Sequence, residues 1–221
     1  MRALIFGASG MVGSGVLKEC LDDARVRSVL VVGRTPCGIT HPKLEEVLHA
    51  DFLDFGPVEH RFADCDACFF CLGVSAAGLK EAAYHRLTYD LTLAAARAVL
   101  RANPNATFVY VSGQATDSTE RGRVRWARVK GKTENALLAM PFKAAYMFRP
   151  GYIQPLKGVR SKTRIYQAIY DVVGPLYPLI RRIAPHSVTT SVNVGRAMIR
   201  VAAEGYAHRV VETDDINQLA A

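Results

Sequence analysis

The sequence predicts an α/β protein built on a doubly wound parallel sheet with helices on both faces. Three observations predict it. Short apolar runs stop at glycine or turn residues, helical apolar patterns alternate with them, and a glycine-rich loop joins the first run to the first helix. Runs that are apolar on both faces suit strands covered on both sides, and parallel strands need crossover helices that provide the cover.

The first strand is Arg2–Phe6, ended by Gly7. A helix follows, with Val12, Val16, Leu17, Cys20 and Leu21 on one face. Ser28–Gly33 is the second strand, residues 46–50 a weaker third and residues 67–72 a stronger fourth. Residues 79–101 read as one long helix, because Ala83, Leu87, Leu91, Ala94, Ala95 and Ala98 share a face. Thr107–Val111 is β-branched and aromatic, bounded by Asn103-Pro104-Asn105 and Gly113, and reads as a strand. Residues 133–138 close another helix and residues 144–148 form another strand. Beyond Gly151 the regularity loosens around prolines 155, 175, 178 and 185, until a helix at 192–203 and a strand at 209–212 finish the chain. With no repeat, low-complexity tract or linker, residues 1–221 are expected to form a single domain. Residues 151–221 would be a small substrate-side extension folded onto the sheet's carboxyl edge, where open α/β sheets bind ligands.

Composition narrows the class. Half of the 221 residues are hydrophobic and 22% are charged, which excludes a disordered or collagen-like chain. No run of roughly 18 apolar residues is present, so no membrane-spanning insertion is expected. The cysteines at 20, 37, 65, 68 and 71 are odd in number and no secretory signal precedes them, so a reducing cytoplasmic location is expected. The net charge of +8 favours anionic partners without naming one.

The loop Gly7-Ala-Ser9-Gly10-Met11-Val12-Gly13 sits between strand and helix, where each glycine has a job. One permits a tight turn, one lets backbone N–H groups approach a pyrophosphate, and one lets the helix pack on the strand. The helix N-terminus adds oriented donors and a partial positive charge. At the end of the second strand a reader of a bare ribose 2′-hydroxyl would be acidic. Gly33-Arg34-Thr35 stands there instead, and an arginine pairs with a 2′-phosphate, which favours NADP over NAD.

Together with Asp51-Phe52, Cys71-Leu72-Gly73, Val111-Ser112-Gly113, Lys130 and Arg149-Pro150-Gly151, these segments resemble the short-chain dehydrogenase/reductase superfamily. More narrowly, they resemble its atypical NAD(P)-binding branch, related to NmrA-like proteins and the Tat-interacting oxidoreductase and often labelled epimerase or dehydratase. The resemblance implies a Rossmann-like fold and a cofactor site made by Gly7, Ser9, Gly10, Met11, Val12 and Gly13. It places Arg34, Asp51 and Phe52 at the adenosine end, Leu72 and Gly73 along the ribose, and Lys130, Pro150 and Gly151 beside the nicotinamide. The branch expects Tyr-x-x-x-Lys assisted by serine, but the spacing survives here as Trp126-Ala-Arg-Val-Lys130. An indole N–H donates a hydrogen bond and cannot shuttle a proton at physiological pH. Ser112 and Lys130 remain the catalytic candidates, with Tyr152 the nearest substitute acid and Tyr84 and His85 more remote.

Other signals carry bland readings. Cys65-x-x-Cys68-x-x-Cys71 has metal-like spacing but lies in a strand, where Cys68 and Cys71 point to opposite faces, so no metal is expected. Six basic residues between Arg121 and Lys132 surround Trp126 and read as a solvated face, so no nucleic-acid partner is expected. The apolar segment 165–183, flanked by arginines and lysine, could rest on an anionic membrane surface, roof a pocket or form a homodimer face. The expected function is an NADP-dependent oxidoreductase for an apolar or aromatic small molecule. The alternative is a non-catalytic NADP sensor that binds a partner protein.

Overall fold

The computed structural model describes residues 1–159, 174 and 177–221. Among these, β1 (Arg2–Phe6), β2 (Ser28–Gly33), β3 (Leu44–Leu48), β4 (Ala67–Phe70), β5 (Thr107–Val111), β6 (Ala144–Arg149) and β9 (Val210–Glu212) form one sheet in the order β3-β2-β1-β4-β5-β6-β9. Every neighbouring pair is parallel. The fold is the Rossmann-like α/β sandwich that the alternating pattern predicts.

Strand alternation divides the core into two layers. Ile5, Val29, Val31 and Phe69 point to one face, under α1 (Met11–Asp22) and α6 (Ser191–Glu204). Leu4, Phe6, Leu30 and Phe70 point to the other, under α3 (Leu91–Ala102) and α4 (Arg125–Leu138). In the second layer Phe6 meets Phe55 and Phe62 edge to face, with centroids 5.5 and 5.9 Å away. Burying an aromatic of this size stabilises the fold by about 1.5–3 kcal/mol.

Several boundaries differ from expectation. The third strand lies two residues earlier than 46–50, because an edge strand with half-exposed positions carries little periodicity. The long helix begins as α2 (Glu81–His85), widens into a π-turn at Arg86–Asp90 and continues as α3. The tail builds into the main core and sheet. Its helix α6 closes the first layer against α1, and its strand β9 extends the sheet beside β6. Gly15 and Gly195 allow that helix crossing, since a Cβ on either would come within 2.8 Å of Ser191 or Glu19. A second, two-stranded parallel sheet pairs β7 (Tyr152–Gln154) with β8 (Val188–Thr190). The chain also holds α5 (Tyr177–Ile183) and ends in α7 (Thr213–Leu219), opened by a reciprocal capping box between Glu212 and Asp215. Most of segment 165–183 lies outside the described residues. No helix among those described is long and apolar enough to cross a membrane.

Candidate functional site

A cleft of about 770 Å³ opens at the carboxyl ends of the strands, across β1 and β4, where the strand order reverses. The glycine loop forms its first wall. Gly7 has φ +83°, and a Cβ there would come within 2.9 Å of the Cys71 backbone, so the turn requires glycine. A Cβ on Gly13 would lie 2.2 Å from the Gly7 carbonyl oxygen, so this glycine brings α1 against the loop. Gly10 is the N-cap of α1; it offers no side-chain cap, and the first turn holds no acidic residue. The positive end of the helix is therefore left uncompensated by side chains, in a cradle that a Cβ would fill, and an anionic pyrophosphate suits it. Gly7, Ser9, Gly10, Met11 and Val12 line the cleft, while Gly13 lies beneath it as packing.

At one end the cleft is bordered by exposed Arg34 and by Phe52, whose ring is anchored in the aromatic layer. Arg34 makes no ion pair among the described residues, so its guanidinium is available to a ligand. Asp51 departs from its expected place. It is exposed, lies outside the cleft lining, and its Oδ1 accepts from the Leu53 N–H at 2.9 Å, which makes it a turn former.

At the opposite end, Leu72, Gly73, Ser112, Lys130, Pro150 and Gly151 all reach the cleft. The ends of β5 and β6 stay zipped beyond the sheet, with Ser112 N donating to Phe148 O and Gln114 N to Pro150 O. Gly151 has to be small, because a Cβ would lie 2.2 Å from the Ser187 carbonyl oxygen of the returning tail. Lys130, on α4, donates from Nζ to the Ser112 carbonyl, and burial pulls its pKa down to about 8 although the Glu134 charge opposes this. The Ser112 hydroxyl lies 2.5 Å from Glu134 Oε1 and 3.1 Å from Phe148 O. It has one proton to give, and the carboxylate is the stronger acceptor.

Tyr152 is not brought to the cleft lining. It sits on β7 and its hydroxyl donates to Gln154 Oε1 at 2.8 Å, with burial raising its pKa. Tyr84 is buried away from the cleft lining, and His85 packs on Tyr89 with Nδ1 3.4 Å from Asp90. Trp126 is half-buried on α4 and also outside the lining. Cys68 packs into the second layer and Cys71 against the first, with thiol pKa values raised by burial. Sequence reasoning missed Glu134, whose signal was available: it follows Lys130 by one helical turn. It also missed Val74, Ser75 and Ile153 in the cleft wall, which lack a motif.

A profile of the NAD(P)H-binding family matches residues 7–145. A mitochondrial FMP52-2 protein of Aspergillus terreus is 27% identical over 98% of this chain and 96% of its own length. A mitochondrial FMP52 protein of Meyerozyma guilliermondii is 28% identical over 69% of this chain, which spans only 65% of that relative. Among solved structures, a short-chain dehydrogenase from Burkholderia cenocepacia in complex with NADP superposes with TM-score 0.67, 17% identity, 99% of this chain and 90% of that one. The Bordetella bronchiseptica enzyme WbmH in complex with NAD+ gives TM-score 0.65, 14% identity, and 96% and 74% coverage. The relatives' mitochondrial names overturn the cytoplasmic location expected from the cysteines. Free thiols distinguish reducing from oxidising surroundings and do not tell one reducing compartment from another. The glycine cradle and the matched 139-residue stretch agree: this chain belongs to the NAD(P)H-binding family.

Proposed function

We propose that the protein prefers NADP(H) to NAD(H) and is an oxidoreductase for an apolar or aromatic small molecule. The observation that carries this reading is one cleft that joins the glycine cradle, Arg34, which has no ion pair among the described residues, Phe52, Ser112 and Lys130. The cradle N–H groups would take the pyrophosphate, Arg34 the 2′-phosphate and Phe52 one side of the adenine. Lys130 would hold the nicotinamide ribose, and Ser112 would bind the substrate oxygen. A bound nicotinamide supplies or accepts the hydride. Val74, Val111 and Ile153 give that end apolar walls, which favours an apolar or aromatic substrate. Tyr152 stays outside this scheme because its hydroxyl is committed to Gln154.

Parallel calorimetric titrations of NADPH and NADH, on wild type and Arg34→Ala, test the cofactor assignment. NADPH is expected to bind more tightly, and the variant to lose about tenfold to a hundredfold for NADPH alone, the effect of a charge-assisted contact of about 1.5–3 kcal/mol. Equal binding of both nucleotides to wild type would remove the NADP preference.

One observation favours a second reading, an NADP sensor without turnover. Trp126 stands where the proton-shuttling tyrosine belongs, and the Ser112 proton is turned to Glu134. Trp126→Tyr separates the two. If the rest of the machinery serves catalysis, NADPH oxidation with a panel of aromatic aldehydes and ketones should rise, by about 10² or more for a positioned general acid. Tight NADPH binding with no turnover in either form supports the sensor.

A further inference from the structure

A charged side chain with no exposure needs a reason to be where it is, because removing a carboxylate from water costs several kcal/mol unless it is paired. Glu134 is such a residue, at 0% exposure on α4. Its partners come from three sides. Arg149, at the end of β6, donates from Nε to Oε1 at 3.0 Å and from Nη2 to Oε2. Ser112, just past the end of β5, donates its hydroxyl to Oε1 at 2.5 Å. Lys130, one turn earlier on the same helix, holds the carbonyl of that same serine. Ser112 is thus gripped by two side chains four residues apart on one helix, by its hydroxyl and by its carbonyl. Both gripping groups are charged, and they have opposite sign. A purely structural pair would need only Arg149; the contact to Ser112 links the pair to the cleft wall.

We propose that Glu134 is a positioning residue of the cofactor site, one that fixes the Ser112 hydroxyl and supplies the counter-charge of the Lys130 ammonium. This rests on the reading of Lys130 as a cofactor ligand. The groups facing Glu134 are Lys130 on its own helix, Ser112 and Tyr110 from the β5 side and Arg149 from β6, with Glu212 of β9 behind Arg149. Burial brings the Lys130 pKa down to about 8, so its charge is present below about pH 8 and lost above it. Replacing the glutamate leaves Arg149 balanced by half-exposed Glu212 alone, so its charge is less opposed near the ammonium. Loss of attraction and stronger repulsion then act in the same direction, so the Lys130 proton leaves at lower pH.

The test follows Lys130 directly, by competitive acetylation against pH with mass-spectrometric readout and no nucleotide present, in wild type, Glu134→Gln and Glu134→Asp. Lys130 should deprotonate near pH 8 in wild type, and at a pH roughly one lower in Glu134→Gln. Glu134→Asp keeps the charge and should titrate close to wild type, and it serves alone if the glutamine variant does not fold: a Lys130 titration displaced downward in Glu134→Asp then overturns the counter-charge role. An unchanged Lys130 titration in folded Glu134→Gln overturns it as well. NADPH calorimetry on the same proteins gives the consequence, an affinity near pH 8 about fivefold lower in Glu134→Gln, matching the fall in the charged fraction of Lys130. A shifted Lys130 titration without NADPH binding in any form supports the role of Glu134 and refutes the cofactor reading of Lys130.

Discussion

Gly13→Ala is expected to destabilise the protein by about 3 kcal/mol or more and to abolish measurable NADPH binding. The added Cβ would sit 2.2 Å from Gly7 O and 2.6 Å from Gly7 C, both backbone atoms of a turn held at φ +83°. No side-chain rotation relieves such a contact. Either α1 moves off β1 and takes the first core layer with it, or the loop opens and the cradle loses its shape. For a chain of this size the loss corresponds to a fall in melting temperature of roughly 6–12 °C. Gly73→Ala is the matched control, because no atom lies within 4 Å of its added Cβ and its φ is not in the left-handed region. It should leave stability within about 0.5 kcal/mol of wild type. Chemical denaturation and NADPH calorimetry on both variants give the comparison, and a Gly13→Ala protein of wild-type stability would contradict the close packing.

That contrast bears on what the sequence made legible. The glycine loop was readable because most of its constraint is local: strand, turn and helix start follow within thirteen residues, and Gly10 and Gly13 answer to the Gly7 backbone inside that span, while Gly7 itself also makes room for the Cys71 backbone. The parallel sheet was readable for a related reason, since buried strands such as Ser28–Gly33 and Thr107–Val111 are apolar on both faces. The β7–β8 pair was not. Each strand has three residues, too few for a period, and the partners are brought together by some thirty residues of intervening chain. The edge strand β3 shifted because half of its side chains face water and its pattern is diluted. At the site, motif residues such as Phe52 and Pro150 reached the cleft, whereas Asp51 turned to its own backbone at Leu53, a choice made by local turn chemistry. Tyr152 was placed by chain proximity to Gly151. Its hydroxyl meets Gln154, two residues on along the same strand, a same-face contact that is legible only once residues 152–154 are seen to form a strand. Glu134 carried a signal in its spacing, one helical turn after Lys130, but not in its burial, because a helical glutamate reads as solvent-facing until its partners Ser112 and Arg149 arrive from two strands.

Arg149→Ala is expected to cost about 3–5 kcal/mol, the range for leaving a buried charge without its partner. Arg149 is 13% exposed at its side chain and Glu134 is 0% exposed, so little water can enter to replace the guanidinium. The arginine also reaches Glu212 on β9 at 3.3 Å and Ser118 in the loop before α4. The substitution therefore unties β6 from three neighbours at once. The cost, however, belongs to the abandoned carboxylate more than to the pair itself. Replacing both partners by apolar residues of similar volume, Arg149→Met with Glu134→Leu, should recover most of the lost stability, because burying two charges was itself expensive. The coupling between the two sites, read from a double-mutant cycle in denaturant, should reach about 2–3 kcal/mol. If the single and double variants were equally unstable, packing and not charge would explain the loss. NADPH calorimetry then separates stability from function. The apolar double variant should fold well and still bind NADPH poorly near pH 8, since the Lys130 ammonium has lost its counter-charge and Ser112 its anchor. Full affinity in that variant would make the buried pair a device of the fold alone.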